Sequence, residues 1–371
     1  METTFIFLIL FIYFPIIFII YYIKEVIEKP RLYYKPNEWN QRLLPTLRKL
    51  HVSYFPTIWC FNRHLMLALL LFRESRSKEY FYDQIEHLTM KDGGITGLAW
   101  TGLENLNQRS NVPIVVIFHT ISGDEQDVKN IVIHIKEKMD CAVVVCIRRG
   151  HGNLPLKTPV INTMGSTDDL KIQLTHIKRK YPNSKILGVG ISAGSGLLAR
   201  YLGEVGAKSL LFAAVAISPA YDIEKAFHRI HPIYNKLMAQ RLINYFLERH
   251  YLSLSEIPGY NHVKDSKSIG EFQDRLHLLS GYASKEEYYH YSNPIKVANL
   301  IQTPLLILNA DDDPICVKLN VNENLHWLEG LTKTILVKTK RGSHIAFFEG
   351  FRARSWCDEL VTDYFIEVLK T

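Results

Sequence analysis

The chain has 371 residues, 47% hydrophobic and 22% charged, which excludes the disordered class and leaves room for one α/β domain with additions. Its five cysteines (Cys60, Cys141, Cys146, Cys316, Cys357) are odd in number and contain no C-x-x-C, which excludes a disulfide framework and a zinc site. The net charge of +7 forms no basic stripe interleaved with aromatics, so nucleic acid is not an expected partner.

Phe5 to Ile23 is an apolar run without a charge. As a helix it would be long enough to cross the hydrocarbon of a bilayer. Met1-Glu2-Thr3-Thr4 offers no Lys or Arg and no small-x-small site follows, so a cleaved signal peptide fits badly. Residues 1–24 are therefore expected to form a single-pass anchor. Seven Lys/Arg against three Glu between Lys24 and Leu50 place the body on the cytoplasmic side.

Residues 25–84 read as a basic, aromatic lead-in, with a helix-like apolar run at Leu65–Phe72 expected in the core. From residue 85 the pattern sharpens. Ile85–Met90 and Ile95–Thr101 flank Lys91-Asp92-Gly93-Gly94 as a hairpin. Strands are expected at Pro113–His119, Cys141–Ile147, Lys185–Gly190, Leu210–Ile217, Pro304–Asn309 and Thr332–Lys338. Helices are expected at Gln126–Met139, Thr167–Arg179, Val317–Leu328 and Ser355–Leu369. Strands alternating with helices imply a mostly parallel sheet covered on both faces. Residues 219–300 break the alternation, are rich in helix formers and aromatics, and read as an inserted cap. Residues 85–371 thus form one α/β domain.

Gly190-Ile191-Ser192-Ala193-Gly194 stands where a strand gives way to a helix. In that context G-x-S-x-G is a nucleophile elbow, and Ser192 is the nucleophile it presents. A base and an acid must follow. The strand at 304–309 runs into Asp311-Asp312-Asp313-Pro314, and the strand at 332–338 runs into Gly342-Ser343-His344. Active sites of open α/β sheets lie beyond such strand ends. The order Ser, Asp, His is that of α/β hydrolases.

With these residues in place the chain resembles the α/β-hydrolase-domain proteins of the YheT-like branch, which includes membrane-anchored lipid esterases. The resemblance spans roughly 50–370. It rests on Pro56 with Asn62-Arg63-His64-Leu65, Arg149-Gly150, Thr167-Asp168-Asp169-Leu170, the elbow, Glu271-Phe272-Gln273-Asp274-Arg275, Asn309 through Pro314, and Gly342 through Gly350. It implies an α/β-hydrolase fold with a helical cap. It makes Asp313, directly before Pro314, the acid and His344 the base. It also implies an oxyanion hole from the N–H of Ala193 and an N–H in His119-Thr120-Ile121-Ser122-Gly123, where Ile121 is the donor expected. Two positions depart from the family: Thr120 and Ser195 stand where it has Gly. His64, Arg149 and His151 are expected in structural roles, and the His87-x₄-Asp92 pattern is a coincidence of the hairpin.

The expected activity is hydrolysis of carboxylic esters of lipids, monoacylglycerol or phospholipid, through an acyl-enzyme. No cofactor, metal or obligate protein partner is implied. Rival readings are thioester or peptide hydrolysis, to which the triad is indifferent, and a catalytically silent fold used for binding.

Overall fold

The computed structural model describes residues 13–371. Nine strands form one sheet: β1 (Arg31–Tyr34), β2 (Gln84–Thr89), β3 (Ile95–Thr101), β4 (Ile114–Phe118), β5 (Ala142–Ile147), β6 (Ile186–Ile191), β7 (Leu211–Ile217), β8 (Leu305–Ala310) and β9 (Thr334–Thr339). Their spatial order is β1-β9-β8-β7-β6-β4-β5-β3-β2. From β5 through β9 neighbouring strands are parallel; β1, β2 and β3 pair antiparallel at the two ends. This is the α/β-hydrolase arrangement.

The inner strands read Ile-Val-Val-Ile-Phe, Ala-Val-Val-Val-Cys-Ile and Ile-Leu-Gly-Val-Gly-Ile, with every residue buried. Continuous apolar runs of this kind belong to strands covered on both faces, so their side chains supply two cores at once. On one face Val115, Val143 and Leu187 pack with the helices Lys129–Lys138 and Trp356–Leu369. On the other, Val116, Val144 and Ala214 pack with the helices Thr167–Lys180 and Ala193–Val205. The insertion between β7 and β8 is helical and builds a third core around Phe227, Phe246, Phe272 and Tyr288. It stands over the carboxyl ends of the central strands.

Three expectations change. The lead-in at 25–84 is not wholly outside the sheet. Arg31-Leu32-Tyr33-Tyr34 pairs with β9 in the register Arg31↔Lys338, and only its short length between Pro30 and Pro36 concealed it. The helix expected at Val317–Leu328 ends at Glu323 and continues as a tighter turn, Leu325–Gly330. Asn322 and Asn324 disfavour helix there, and Asn320 spends its side chain on Tyr221 N–H and Asp222 C=O. The run at Leu65–Phe72 lies in the helix Arg63–Arg76, capped by Asn62, but only one stripe is core. Met66 and Leu67 are buried, whereas Leu65, Leu71 and Phe72 are exposed.

Of the expected anchor, residues 1–12 lie outside the described residues. Residues 13–21 are helical and end in the wider turn Tyr22–Val26. Phe18, Tyr21 and Tyr22 pack around Phe61, which ties this segment to the body. Among the described residues no helix is long and apolar enough to cross a membrane.

Candidate active site

β6 ends at Ile191 and the helix Ala193–Val205 starts two residues later. Ser192 absorbs the reversal with φ 55° and ψ −116°, a region L-residues rarely occupy. Its N–H donates to Ile217 C=O at 2.9 Å, fixing it to β7. The flanking glycines are required by contact. A Cβ on Gly190 would stand 2.5 Å from Ser195 Cα, and one on Gly194 would run into the Phe118 carbonyl at the end of β4. The helix is thus pressed onto both β6 and β4.

The residues expected as base and acid arrive from β9 and β8. His344 Nε2 lies 2.8 Å from Ser192 Oγ, and its Nδ1–H donates to Asp313 Oδ2 at 2.9 Å. Asp313 Oδ1 accepts from the N–H of Ile315 (2.7 Å) and Cys316 (2.8 Å). Pro314 has no N–H, so the turn presents its next two donors to the carboxylate. His344 and Asp313 are buried and Ser192 is half-buried. The arrangement can take the proton of Ser192 Oγ onto an oriented imidazole.

The loop carrying His344 is strained. Ser343 has φ 53° and Ile345 φ 56°, each costing about 1–3 kcal/mol. Three bonds hold it: Ser343 N–H to Asp312 Oδ1 (2.9 Å), Ser343 Oγ–H to Arg63 C=O (2.7 Å), and Ile345 N–H to Ser218 Oγ (3.2 Å). Ser218, itself at φ 50°, had no signal in the sequence.

The three consecutive aspartates therefore do three jobs. Asp311 binds Arg31 at 2.5 Å, Lys318 at 2.9 Å and Lys338 at 3.2 Å. Burial opposes its charge, yet these cations hold its carboxyl below the ordinary range. Asp312 anchors the histidine loop. Burial pushes its carboxyl up to about 6, because Arg341 is 3.8 Å away and Oδ2 has no hydrogen-bond partner. Asp313 alone reaches His344.

Ala193 N–H and Ile121 N–H have no hydrogen-bond partner among the described residues. Thr120 is not at positive φ, so its loop does not need the glycine of the family pattern. Ser195 is buried and donates its Oγ–H to Ser192 C=O, within its own turn, rather than projecting into the site. His87 lies on β2, and Asp92 pairs with Arg149, away from the triad. Arg149 also forks onto Asp169 at 2.6 and 2.7 Å, His64 meets Tyr234, and His151 is buried beneath the cap. Asp313, Cys316 and His344 are metal-ligating types lying together. Both imidazole nitrogens are engaged, and Cys316 donates to Ser218 C=O with burial holding its thiol protonated. That donor set fits a proton relay better than an ion.

Beside Ser192 lies a cavity of about 30 Å³ lined by Ile121, Ala193, Ile223, Phe227, Met238 and Ile315 among others, all apolar but for Ser192 and Cys316. The cap helix Ile223–Arg229 forms one wall.

Residues 110–349 match the family model described as Hydrolase_4, serine aminopeptidase, S33. The chain is 26% identical over 354 residues to "Phospholipase ABHD3" of Homo sapiens, covering 92% of this chain and 85% of that protein. It is 26% identical over 321 residues to "Putative esterase YheT" of Escherichia coli, covering 83% of this chain and 92% of that one. Among solved structures, the Pyrococcus furiosus esterase Pf2001 superposes with a TM-score of 0.53 at 18% identity, covering 78% and 91% of the two chains, and shares the fold.

Gly194→Ala forces a Cβ into backbone and should destabilise the fold by about 3 kcal/mol or more. Gly196→Ala meets the flexible Met164 Cε at 3.1 Å and Pro294 Cγ at an ordinary contact distance of 3.6 Å, and should change stability little; thermal denaturation of both checks the contrast. Asp313→Asn should lower kcat by about 10⁴-fold by holding the wrong histidine tautomer. Asp312→Asn should keep most activity. Because the folded carboxyl of Asp312 is raised, its stabilising contribution is full below the unfolded value and is lost as pH climbs through about 6. Asp312→Asn should therefore gain roughly 3 kcal/mol at pH 7 and less than about 1 kcal/mol at pH 4, read by urea unfolding at the two pH values.

Proposed function

The chain belongs to the Hydrolase_4 family, in its YheT-like α/β-hydrolase branch, and is a serine ester hydrolase; on that premise we propose that it cleaves acyl esters of glycerolipids at a membrane through Ser192, His344 and Asp313. The observation that carries this reading is the pairing of a hydrogen-bonded Ser-His-Asp set with an apolar cavity at the nucleophile.

His344 Nε2 takes the proton as Ser192 Oγ attacks the ester carbonyl. The oxyanion that forms is bound by Ala193 and Ile121 N–H, both free to donate. Collapse breaks the C–O bond to the alcohol, which leaves with the proton from His344. Water then attacks the acyl-enzyme by the same steps and returns Ser192. Asp313 keeps Nδ1 protonated and stabilises the imidazolium.

The family description names a peptidase. An aminopeptidase must hold a free ammonium group, and the cavity walls at Ser192 offer no carboxylate for it. An acyl chain needs only apolar walls. The related human protein is called a phospholipase, which supports a phospholipid or monoacylglycerol substrate here.

A cavity of about 30 Å³ has room for roughly two waters, not for a long acyl chain. The helices Ile223–Arg229 and Pro232–Leu242 must part for the chain to enter. Ile233 and Leu237 on the cap, and Leu65, Leu71 and Phe72 on Arg63–Arg76, are exposed, and Tyr234 joins the two helices through His64. These apolar groups would meet lipid when the cap opens. The Phe5–Ile23 run supplies a membrane anchor, and the basic residues after it keep the body on the cytoplasmic face.

The test is kcat/KM over acyl lengths with vesicles present. Each added CH₂ brings up to about 0.8 kcal/mol of burial, so the ratio should climb from acetyl to medium-chain esters. Phe227→Ala should shift the optimum to longer chains, and Ser192→Ala should abolish both turnover and fluorophosphonate labelling. A steady fall from acetyl upward would exclude the lipid reading.

A further inference from the structure

The peptide whose N–H belongs to Ile121 has its C=O on Thr120. That carbonyl accepts a guanidinium N–H from Arg148 Nη2 and lies 3.0 Å from His119 Nδ1. His119 Nε2 accepts from Arg148 backbone N–H at 3.3 Å, which leaves Nδ1 carrying the proton. Two side chains from different strands thus converge on one oxygen.

The sheet fixes the direction. Arg148 follows β5, the loop at 119–123 follows β4, and Ser192 follows β6, in the spatial order β5-β4-β6. The loop lies between the guanidinium and the nucleophile. A trans peptide points C=O and N–H in opposite senses, and no cis peptide occurs among the described residues. Gripping Thr120 C=O from the β5 side turns Ile121 N–H toward the β6 side, into the cavity that Ile121 shares with Ser192 and Ala193.

Arg148 is only 7% exposed. Among the described residues no carboxylate pairs with it, and its Nε and Nη1 have no hydrogen-bond partner. Burial lowers it to about 9, which leaves it charged at neutral pH. Burial, followed by this charge, keeps His119 and His151 neutral. A buried cation without a counter-ion weakens a fold. Its field falls directly on the peptide that would bind the oxyanion, and hydrogen bonding at one end of a peptide strengthens donation at the other.

We propose that Arg148 is a positioning residue whose guanidinium orients and polarises the Thr120–Ile121 peptide, making Ile121 N–H the second oxyanion donor. The proposal rests on the hydrolase reading of Ser192 and adds to it a residue outside the triad.

The test uses Arg148→Met, Arg148→Gln and Arg148→Lys in the full-length protein, assayed on a soluble p-nitrophenyl ester. Methionine fills the space without charge, glutamine keeps a donor without charge, and lysine keeps the charge. For Arg148→Met, kcat should fall about 10- to 100-fold with KM changed by less than about threefold, because the lost interaction is made to the transition state. Affinity for a boronate that mimics the tetrahedral adduct should fall in parallel. Arg148→Lys should recover a large part of kcat and Arg148→Gln less. Melting temperatures of the neutral variants should equal or exceed the parent, since an unpaired buried charge is gone. A kcat for Arg148→Met within about threefold of the parent overturns the proposal. So does a kcat loss that comes with a lower melting temperature and no rescue by lysine, which would make Arg148 a packing residue. If Arg148→Met does not fold, the comparison of glutamine with lysine decides by the same criteria. A parent protein inert to both ester and fluorophosphonate overturns the hydrolase reading and this inference with it; an active parent with unaffected variants overturns this inference alone.

Discussion

The contact on which the site depends is the crossing of the Ala193–Val205 helix over the ends of β4 and β6. No side chain fits at Gly190 or Gly194, because backbone meets backbone there. That closeness puts the first N–H groups of the helix beside the loop leaving β4, and it raises Ser192 into the space between them. A looser crossing would keep the strands, the helix and Ser192, His344 and Asp313, yet separate the Ala193 N–H from the loop leaving β4. The strain at Ser192, about 1–3 kcal/mol, is tolerated because the flanking strands are buried on both faces and cannot relax.

Strain recurs where the other chain segments enter. Ser218, Ser343 and Ile345 all have positive φ, and all sit within one hydrogen bond of the histidine loop. The loop is not held by its own sequence preference. It is held by Asp312 from β8, Ser218 from β7 and Arg63 from the lead-in helix. This explains why Asp312 remains buried although its charge is poorly matched. Its carboxylate fixes the loop, while the neighbouring Asp313 fixes the ring that the loop carries.

The central strands and the elbow were legible in the sequence for a physical reason. Strands buried on both faces must be apolar throughout, and a backbone crossing at van der Waals distance must use glycine. Which aspartate meets His344 was legible only through resemblance, since three adjacent aspartates look alike until their neighbours are placed. Pro314 is what distinguishes Asp313, because the turn it forces offers Ile315 and Cys316 N–H to that carboxylate. β1 was hidden because a four-residue edge strand carries no periodicity. The exposed half of Arg63–Arg76 was hidden because an apolar run does not say which of its faces is covered. Arg148 was visible as a residue but not as a function: its meaning lies in the order of three strands, which a linear reading cannot supply.

That order also bears on how the site is closed. The loop after β4 has Arg148 behind it and Ser192 in front, so it cannot move without breaking the Arg148–Thr120 bond and shifting the Ile121 N–H. The cap is different. Around the cavity at Ser192 its helices present apolar side chains, among them Ile223, Phe227 and Met238, and apolar contacts are non-directional and exchange readily for an acyl chain of similar surface. Rigid polar bonds therefore hold the reacting atoms, while replaceable apolar contacts seal them from water. Farther out the cap is tied to the body by polar bonds, among them His231 N–H to Pro314 C=O (2.9 Å) and Gln273 to Thr163 (2.9 Å), and admitting a bulky apolar substrate requires its inner helices to shift against these ties. Under the proposed glycerolipid reading, the small cavity at Ser192 is a resting seal rather than the measure of the substrate.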